Sequence, residues 1–148
     1  MPLDPSFAGR TYPPTPPYEV GREKIREFAD SVGASHPAHR DPEAARALGH
    51  PDVLAPPTFP ILITNQAGAQ IVTDPLLGID YSRVVHAEQR FAYTRPVYAG
   101  DRLTCVCTVE EVSSRAGHQF LTTRIDVDTD GGERVVQVWV RLVVRGEG

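Results

Sequence analysis

The sequence predicts an α+β domain in which an antiparallel sheet wraps around one long buried helix. After Gly78 the apolar pattern changes from helical periodicity to alternation along strands. Before that point, Phe59–Val72 is apolar around most of its circumference, and only Asn65 and Gln66 would need polar partners inside the domain. Because a sheet that covers so apolar a helix must curl, we expect the helix in the middle and the sheet outside; another α+β sandwich topology is the alternative.

The N-terminal half contains the predicted helices. Thr11–Pro17 holds four prolines in seven positions, which excludes helix and central strand and predicts an extended lead-in across the domain surface. Apolar residues at helical spacing between Gly21 and Gly33 predict a short helix that ends at the second glycine. Asp41 and Pro42 are the residue types of a helix N-cap and first helical position, within a long connection.

The C-terminal half predicts four long antiparallel strands. Their expected ranges are Tyr81–Thr94, Leu103–Val112, Gln119–Asp128 and Val135–Val144. In the first strand, alternation is expected to place five side chains on one face: Val85, Ala87, Gln89, Phe91 and Tyr93. Thr129–Gly132, which reads Thr-Asp-Gly-Gly, is a strong hairpin signal. The last strand carries valine on both faces, which favours a central position in the sheet.

Composition limits the classes of protein to consider. The 148 residues fit one domain with its own core, so 1–148 is predicted to be a single unit. A net charge of −4 argues against general nucleic-acid binding. No stretch approaches the roughly 20 apolar residues of a membrane span, and the first ten residues lack a secretory signal's pattern, so a cytoplasmic protein is expected. Cys105 and Cys107 are expected to be reduced core residues.

One short motif carries the most chemical information. From Gly33 to Asp41 the chain reads Gly-Ala-Ser-His-Pro-Ala-His-Arg-Asp. It resembles the active-site segment of MaoC-type hydratases, Gly-Asp-x-Asn-Pro-x-His-x-Asp, in which an Asp–His pair adds or removes water across an acyl thioester. His39 takes the place of the histidine, Ala34 stands at the aspartate position and His36 at the asparagine position. Since an alanine side chain transfers no proton, the resemblance implies a family and a missing catalytic acid.

The resemblance extends over nearly the whole chain. It is carried by the order and spacing of Phe7–Pro14, Val20–Ala29, Leu54–Pro60, Leu77–Leu103 and the closing valine-rich strand. Together these resemble the FAS1-like dehydratase, or MaoC N-terminal, branch of the hot-dog superfamily. Within that branch the chain is most similar to the A-type subunit of the bacterial heterodimeric (3R)-hydroxyacyl-ACP dehydratase of type II fatty-acid synthesis.

The resemblance implies a hot-dog fold and a division of labour between two chains. A homologous MaoC-like subunit supplies the Asp–His pair, while the A-type subunit stabilises it and shapes the acyl channel. The implied substrate is a 3-hydroxyacyl thioester on acyl carrier protein or CoA, and no cofactor or metal is implied. Where MaoC enzymes carry His-Gly at the start of the buried helix, this chain has Pro56-Pro57, so the N–H groups of Thr58 or Phe59 would have to polarise the thioester carbonyl.

Further candidates lie where the buried helix leads into the sheet. Asp80, Tyr81 and Arg83 either cap a loop at an exposed strand start, which is the favoured interpretation, or bind substrate by lining the dimer seam or the pantetheine entrance. His36, His39 and Asp41 resemble a metal motif, but no fourth ligand is evident and metal binding is not expected. Two alternatives stay open: a homodimeric enoyl-thioester hydratase that uses His39 alone, and an acyl-thioester binding protein without activity.

Overall fold

The structure, a computed structural model, describes residues 2–147 and contains three α-helices and one five-stranded antiparallel sheet. The helices are α1 (Arg22–Ser31), α2 (Pro42–Ala47) and α3 (Pro60–Val72). The strands are β1 (Tyr18–Glu19), β2 (Val84–Tyr93), β3 (Arg102–Arg115), β4 (His118–Thr129) and β5 (Arg134–Val144). Their order in the sheet is β1-β3-β4-β5-β2, which confirms the α+β class and the interior position of the valine-rich β5.

Local signals fix the helix ends. The Asp41 side chain accepts a hydrogen bond from the Glu43 N–H at 2.9 Å, so Asp41 and Pro42 begin α2 as predicted. Gly33 follows α1 with φ +70, a left-handed conformation that glycine adopts without a steric penalty. No side-chain cap closes the start of α3, which begins directly at Pro60.

The core lies between α3 and the concave face of the sheet. Phe59, Ile63, Ala67 and Ile71 are spaced by four residues and are at most 4% exposed, so they form the stripe of α3 that faces the sheet. The sheet contributes buried side chains from its three longest strands: Leu103, Cys105, Cys107, Val109, Leu121, Ile125, Val127, Val135, Val136 and Val138. Both cysteines are free and buried, as the sequence predicts.

The proline-rich lead-in covers one edge of the sheet. The N–H groups of Gly9, Tyr12 and Thr15 donate to carbonyl oxygens of β3 at 2.7, 2.9 and 2.9 Å, and β1 pairs with the start of the same strand. The segment therefore satisfies backbone groups that would otherwise be left unpaired along β3. Strand β2 lies at the opposite edge of the sheet. Among the described residues it pairs with β5 on one side and with no strand on the other.

The structure corrects the predicted faces of β2. A bulge between His86 and Glu88 breaks the register with β5, so alternation does not run unbroken along the strand. As a result Val84 and His86, rather than Val85, share the concave side with Gln89. The prediction that placed Val85 and Ala87 on the same face as Gln89 is wrong. Strict alternation does not allow for the extra residue of a bulge, so it assigns the wrong face to the residues before it.

The burial of α3 is also less complete than predicted. Asn65 and Gln66 are exposed and need no partners inside the domain, and Ile61 and Leu62 are 36% and 37% exposed. Among the described residues, no helix is both long and apolar enough to cross a membrane.

Candidate functional site

His39 lies at the end of a 3₁₀ turn, Pro37–His39, and its ring is held in one orientation. Its Nδ1 atom is 2.7 Å from the carbonyl oxygen of Leu54. Because a carbonyl oxygen only accepts hydrogen bonds, Nδ1 carries the proton and Nε2 keeps its lone pair. The half-buried His39 ring therefore presents a potential base, with a geometry set by a backbone group fifteen positions along the chain.

Ala34 occupies a rigid position beside this turn. Its N–H donates to the Ala29 carbonyl at 2.8 Å, and its own carbonyl accepts from Arg40 Nη2 at 3.0 Å. The Arg40 guanidinium also forms a 2.6 Å ion pair with Asp30. Hydrogen bonds thus hold the backbone at Ala34 on both sides, while the side chain at this position has no proton to give.

His36 is placed by its own backbone rather than by a ligand. Its Nδ1 accepts the Ala38 N–H at 3.1 Å, so the His36 side chain caps the 3₁₀ turn. The ring centroids of His36 and His39 are 6.2 Å apart and nearly perpendicular, at 74°. In residues 2–147 no group of three or more His, Cys, Asp or Glu side chains has an arrangement that suits a metal ion.

The N-terminus of α3 offers fewer backbone donors than its position suggests. Pro56, Pro57 and Pro60 lack an N–H group. The Phe59 N–H donates to the Pro56 carbonyl at 2.9 Å, so it is engaged within the turn and is not free for a substrate. Of the two predicted donors, the exposed Thr58 is the one that remains available. The Phe59 side chain is fully buried against the edge of Phe28, at 5.5 Å between ring centroids.

Strand β2 is tied to this turn by Tyr93. The Tyr93 hydroxyl donates to the Pro57 carbonyl oxygen at 2.5 Å, and burial raises the pKa of Tyr93. The phenol therefore stays protonated and acts as a donor at neutral pH. This bond fixes the end of β2 against the turn that precedes α3, next to Thr58 in the chain.

Asp80, Tyr81 and Arg83 lie at the opposite end of α3. Asp80 caps a 3₁₀ turn over Tyr81–Arg83 through Ser82, and Arg83 pairs with Asp80 at 3.4 Å and with Glu147 at 3.6 Å. Hydrogen bonds from Ser82 hold the pKa of Asp80 below its usual value. The three residues are mostly engaged with one another, and the 69% exposed Tyr81 ring is the member that reaches the cavity described next.

A cavity of about 380 Å³ lies along α3, and its lining includes Tyr81 but not His39, Thr58 or Phe59. One wall is α3 from Ile61 to Val72, a span of about 16 Å at the helical rise per residue. The other wall is the concave side of β2, β5 and β4, which contributes both apolar and polar side chains: Val84, Ile125, Val140, Leu142, His86, Gln89 and Thr123. Its length and mixed lining suit an extended acyl group with some polar character.

Three features of the site were not found from the sequence. Leu54 acts through its carbonyl and Arg40 through a bond to the Ala34 backbone, and neither contact leaves a sequence signal. Gly68 lies inside α3 and lines the cavity, and no heavy atom lies within 4 Å of the point where a Cβ would stand. A glycine within a helix is unfavourable for stability, so its presence in the sequence could have indicated a position where a side chain would fill a needed space.

Known proteins with similar sequences and folds identify the family. Residues 6–138 match the FAS1-like, dehydratase domain region. The chain belongs to the FAS1-like dehydratase family. It is 59% identical to the UPF0336 protein of Streptomyces coelicolor over 145 residues, which covers 98% of this chain and 97% of that protein. It is 61% identical over 145 residues to the UPF0336 protein of Streptomyces griseus, with the same coverage of 98% and 97%.

Solved structures of this family share the fold. One chain of the C terminal truncated HadBC (3R-hydroxyacyl-ACP dehydratase) complex from Mycobacterium tuberculosis is 32% identical, with a TM-score of 0.85 and coverage of 97% of this chain and 99% of that chain. A MaoC-like dehydratase is 31% identical with a TM-score of 0.88, covering 95% of this chain and 43% of that one. These likenesses confirm the hot-dog fold and the MaoC-like relationship predicted from the sequence.

Proposed function

We propose that this FAS1-like dehydratase chain is the non-catalytic, stabilising and substrate-channel subunit of a (3R)-hydroxyacyl-ACP dehydratase in type II fatty-acid synthesis. The reaction is the conversion of a 3-hydroxyacyl thioester to a trans-2-enoyl thioester and water. The catalytic Asp–His pair belongs to a homologous MaoC-like partner. The observation that carries the proposal is the combination of an oriented His39 with an alanine where the acid is needed.

The chemistry explains why one histidine is insufficient. Dehydration requires a base that removes the C2 proton and an acid that protonates the departing 3-hydroxyl group. His39 Nε2 is free to be the base, but Ala34 contributes no acid. One positioned acid or base group contributes about 10²–10⁴-fold to rate, so the loss of the acid leaves this site far weaker than a complete pair.

The remaining architecture suits a channel. The cavity beside α3 runs from Ile61 to Tyr81, and the long wall of α3 gives an acyl group an extended path. Thr58 keeps a backbone N–H near the helix start, where the helix dipole favours the developing negative charge of a thioester oxygen. The proposal therefore assigns acyl binding to this chain and proton transfer to its partner.

The open side of the sheet is the proposed contact with the catalytic partner. In residues 2–147 no strand pairs with the outer side of β2, and exposed apolar side chains lie on or beside this strand at Ile61, Val85 and Tyr93, which are 36–44% exposed. An exposed strand edge bordered by apolar side chains favours association with a second sheet. The related HadBC protein is itself a complex, which supports a second chain as the partner.

Hydration of a trans-2-enoyl-CoA tests the proposal. The purified chain is assayed alone and after co-expression with a MaoC-like chain, and loss of the enoyl thioester is followed over time. We expect no turnover above background alone and activity of the pair that is abolished when the partner's catalytic aspartate is changed. A pair with no more activity than the partner alone at equal stability contradicts the subunit role.

A second candidate function is a hydratase that uses His39 alone, and the Leu54 contact favours it because this bond leaves Nε2 as a ready base. Clear activity of the isolated chain that disappears in His39→Gln supports this candidate over the subunit role. Glutamine keeps a donor for the Leu54 carbonyl but has no basic nitrogen, so His39→Gln separates catalysis from packing. Binding of the thioester without turnover in any combination points to the acyl-binding alternative.

A further inference from the structure

The sheet wall of the cavity along α3 carries a short polar band. Gln89 on β2, Val140 on β5 and Thr123 on β4 are opposed in register, so they form one row across the concave face, and all three line the cavity. His86 lines the cavity in the next row, opposite Leu142. The other sheet residues of the lining are apolar: Val84, Ile125, Val140 and Leu142. The proton transfers of dehydration do not account for polar groups in this wall.

The Gln89 amide is oriented so that its oxygen is the unpaired end. Its Nε2 group donates to the Trp139 carbonyl oxygen at 3.3 Å, and because a carbonyl oxygen only accepts, this bond decides which end of the amide is the nitrogen. The Gln89 Oε1 atom is buried, and within residues 2–147 no donor reaches it. Since buried polar atoms in folded proteins are nearly always paired, an acceptor left over in a cavity wall indicates that a molecule in the cavity supplies the donor.

His86 provides a second acceptor on the same strand. Its Nε2 atom is 3.1 Å from the Glu88 carbonyl oxygen, so in the neutral ring Nε2 carries the proton and Nδ1 has the lone pair. His86 is exposed whereas Gln89 is half-buried, which places His86 nearer the opening of the cavity. Two acceptors on one wall favour a ligand that carries a hydrogen-bond donor.

The rest of the lining limits this donor to a neutral group. Within the described residues no Asp, Glu, Lys or Arg side chain lines the cavity. An ammonium group is therefore excluded, because the burial of a charge without an opposite charge is strongly unfavourable. The rows on either side of Gln89 contribute Leu142 and Ile125, which suit methylene groups. A hydroxyl group on an otherwise apolar chain fits both parts of this wall.

We propose that the cavity along α3 selects acyl groups that carry a hydroxyl group along the chain, with Gln89 as the acceptor that determines this specificity and His86 in support. The inference rests on the proposed acyl-binding role of this chain and names the substrate class for that role. The selected hydroxyl group is distinct from the 3-hydroxyl group that dehydration removes, since His39 and Ala34 are not part of the cavity lining.

A positional series of ligands tests the selection by binding rather than by turnover. The full-length chain is titrated calorimetrically with saturated acyl-CoA thioesters of one length, either unsubstituted or with a single hydroxyl group at successive carbons beyond C3. We expect binding that is tighter by about tenfold at one position or two adjacent positions, where the hydroxyl group meets Gln89. Equal affinity for every member of the series overturns the inference while the acyl-binding role stands, and no binding of any acyl-CoA contradicts both.

Gln89→Met identifies the acceptor, because methionine has a similar length but no amide oxygen. We expect this variant to bind the preferred hydroxylated thioester about tenfold more weakly and the unsubstituted thioester as tightly as the wild type does. Gln66→Met is the matched control, since Gln66 is exposed on α3 outside the cavity lining and its replacement is expected to keep the preference.

Two results with the Gln89 variant contradict the inference. A hydroxyl preference that persists in Gln89→Met shows that another group selects the ligand. An equal loss for hydroxylated and unsubstituted thioesters shows that Gln89 contacts the amide groups of the CoA arm, which all members of the series share. Circular dichroism verifies the folding of each variant, and the positional series with the wild type decides the question if Gln89→Met does not fold.

Discussion

The Leu54 carbonyl determines the chemical state of His39 in the site. With Nδ1 protonated toward Leu54, Nε2 of the neutral ring has the lone pair needed for a base. Ala34 stands on a backbone that is fixed on both sides, by Ala29 through its N–H and by Arg40 through its carbonyl. Under the proposed function, this site lacks the carboxylate of a complete Asp–His pair, while the backbone at Ala34 is held by two hydrogen bonds.

Ala34→Asp is predicted to introduce the absent acid/base group. Since the backbone at position 34 is already held, we expect hydration of a trans-2-enoyl-CoA by the isolated variant to rise by about 10²-fold or more over the isolated wild-type chain. Initial rates over a pH series provide the measurement. Ala34→Asn, which matches the size without the carboxylate, is expected to stay at the wild-type level, and equal rates for both variants contradict the prediction.

Residue-scale predictability depended on whether a contact is local in the sequence. The motif singles out His39 and Ala34 because its spacing is short and its chemistry is specific, and their roles stay a prediction. The contact with the Leu54 carbonyl cannot be predicted in this way, because any residue provides a carbonyl and fifteen positions separate Leu54 from His39. Phe59 lies at the start of α3 as predicted, but its N–H already donates to the Pro56 carbonyl oxygen.

At the scale of elements, α3 combines a packed stripe with an open cavity wall. Phe59, Ile63, Ala67 and Ile71 hold the helix to the sheet, while Gly68 leaves space beside them. Glycine within a helix costs roughly 0.5–1 kcal/mol relative to alanine, so its presence here is unfavourable for the helix itself. Its position on the cavity wall gives a physical reason for the residue, because a larger side chain would enter the channel.

Gly68→Leu is predicted to shorten the acyl chain that the channel accepts. No heavy atom lies within 4 Å of the Cβ position, so the variant is expected to fold, with a gain of roughly 0.5–1 kcal/mol from helix propensity. Turnover of a chain-length series of enoyl thioesters by the assembled pair is expected to lose its longest members while short chains react normally. Gln66→Leu, exposed on the same helix and outside the cavity lining, is the matched control. An unchanged length profile in the Gly68 variant contradicts the assignment of the channel.

Elements with local signals were predicted closely, and those that depend on pairing were not. The α2 cap, the Gly33 terminus and the hairpin at Thr129–Gly132 depend on neighbouring residues, and the structure has all three. The bulge at Ala87 is a shift in register against β5, so it cannot be predicted without knowing which strand pairs with β2. For the same reason the sequence predicted an extended lead-in but not that it would bind β3.

For the molecule as a whole, Asp74 links the N-terminal segment to the end of α3. Its carboxylate accepts from the Tyr12 hydroxyl at 2.7 Å, from Arg10 at 3.3 Å and from the Leu76 N–H at 2.9 Å. The Tyr12 bond, followed by the Leu76 bond, holds the pKa of Asp74 below its usual value of 3.8. Burial, with the nearby carboxylate, raises the pKa of Tyr12 to about 12, so the phenol remains a donor.

This linkage predicts a defined acid sensitivity. A carboxyl group whose pKa is lower in the folded state stabilises the fold above its unfolded pKa, near 3.8, and loses that contribution as pH falls through the folded value. We therefore expect Asp74→Asn to have a lower free energy of unfolding than the wild type at pH 7, with a difference that shrinks below about pH 4. Urea unfolding at a series of pH values from neutral to acidic measures this difference. Tyr12→Phe removes the largest cause of the pKa shift but keeps the carboxylate, so it is expected to reduce the same pH dependence in part. If the difference in free energy of unfolding between the wild type and Asp74→Asn stays constant into acid, Asp74 does not link the two segments.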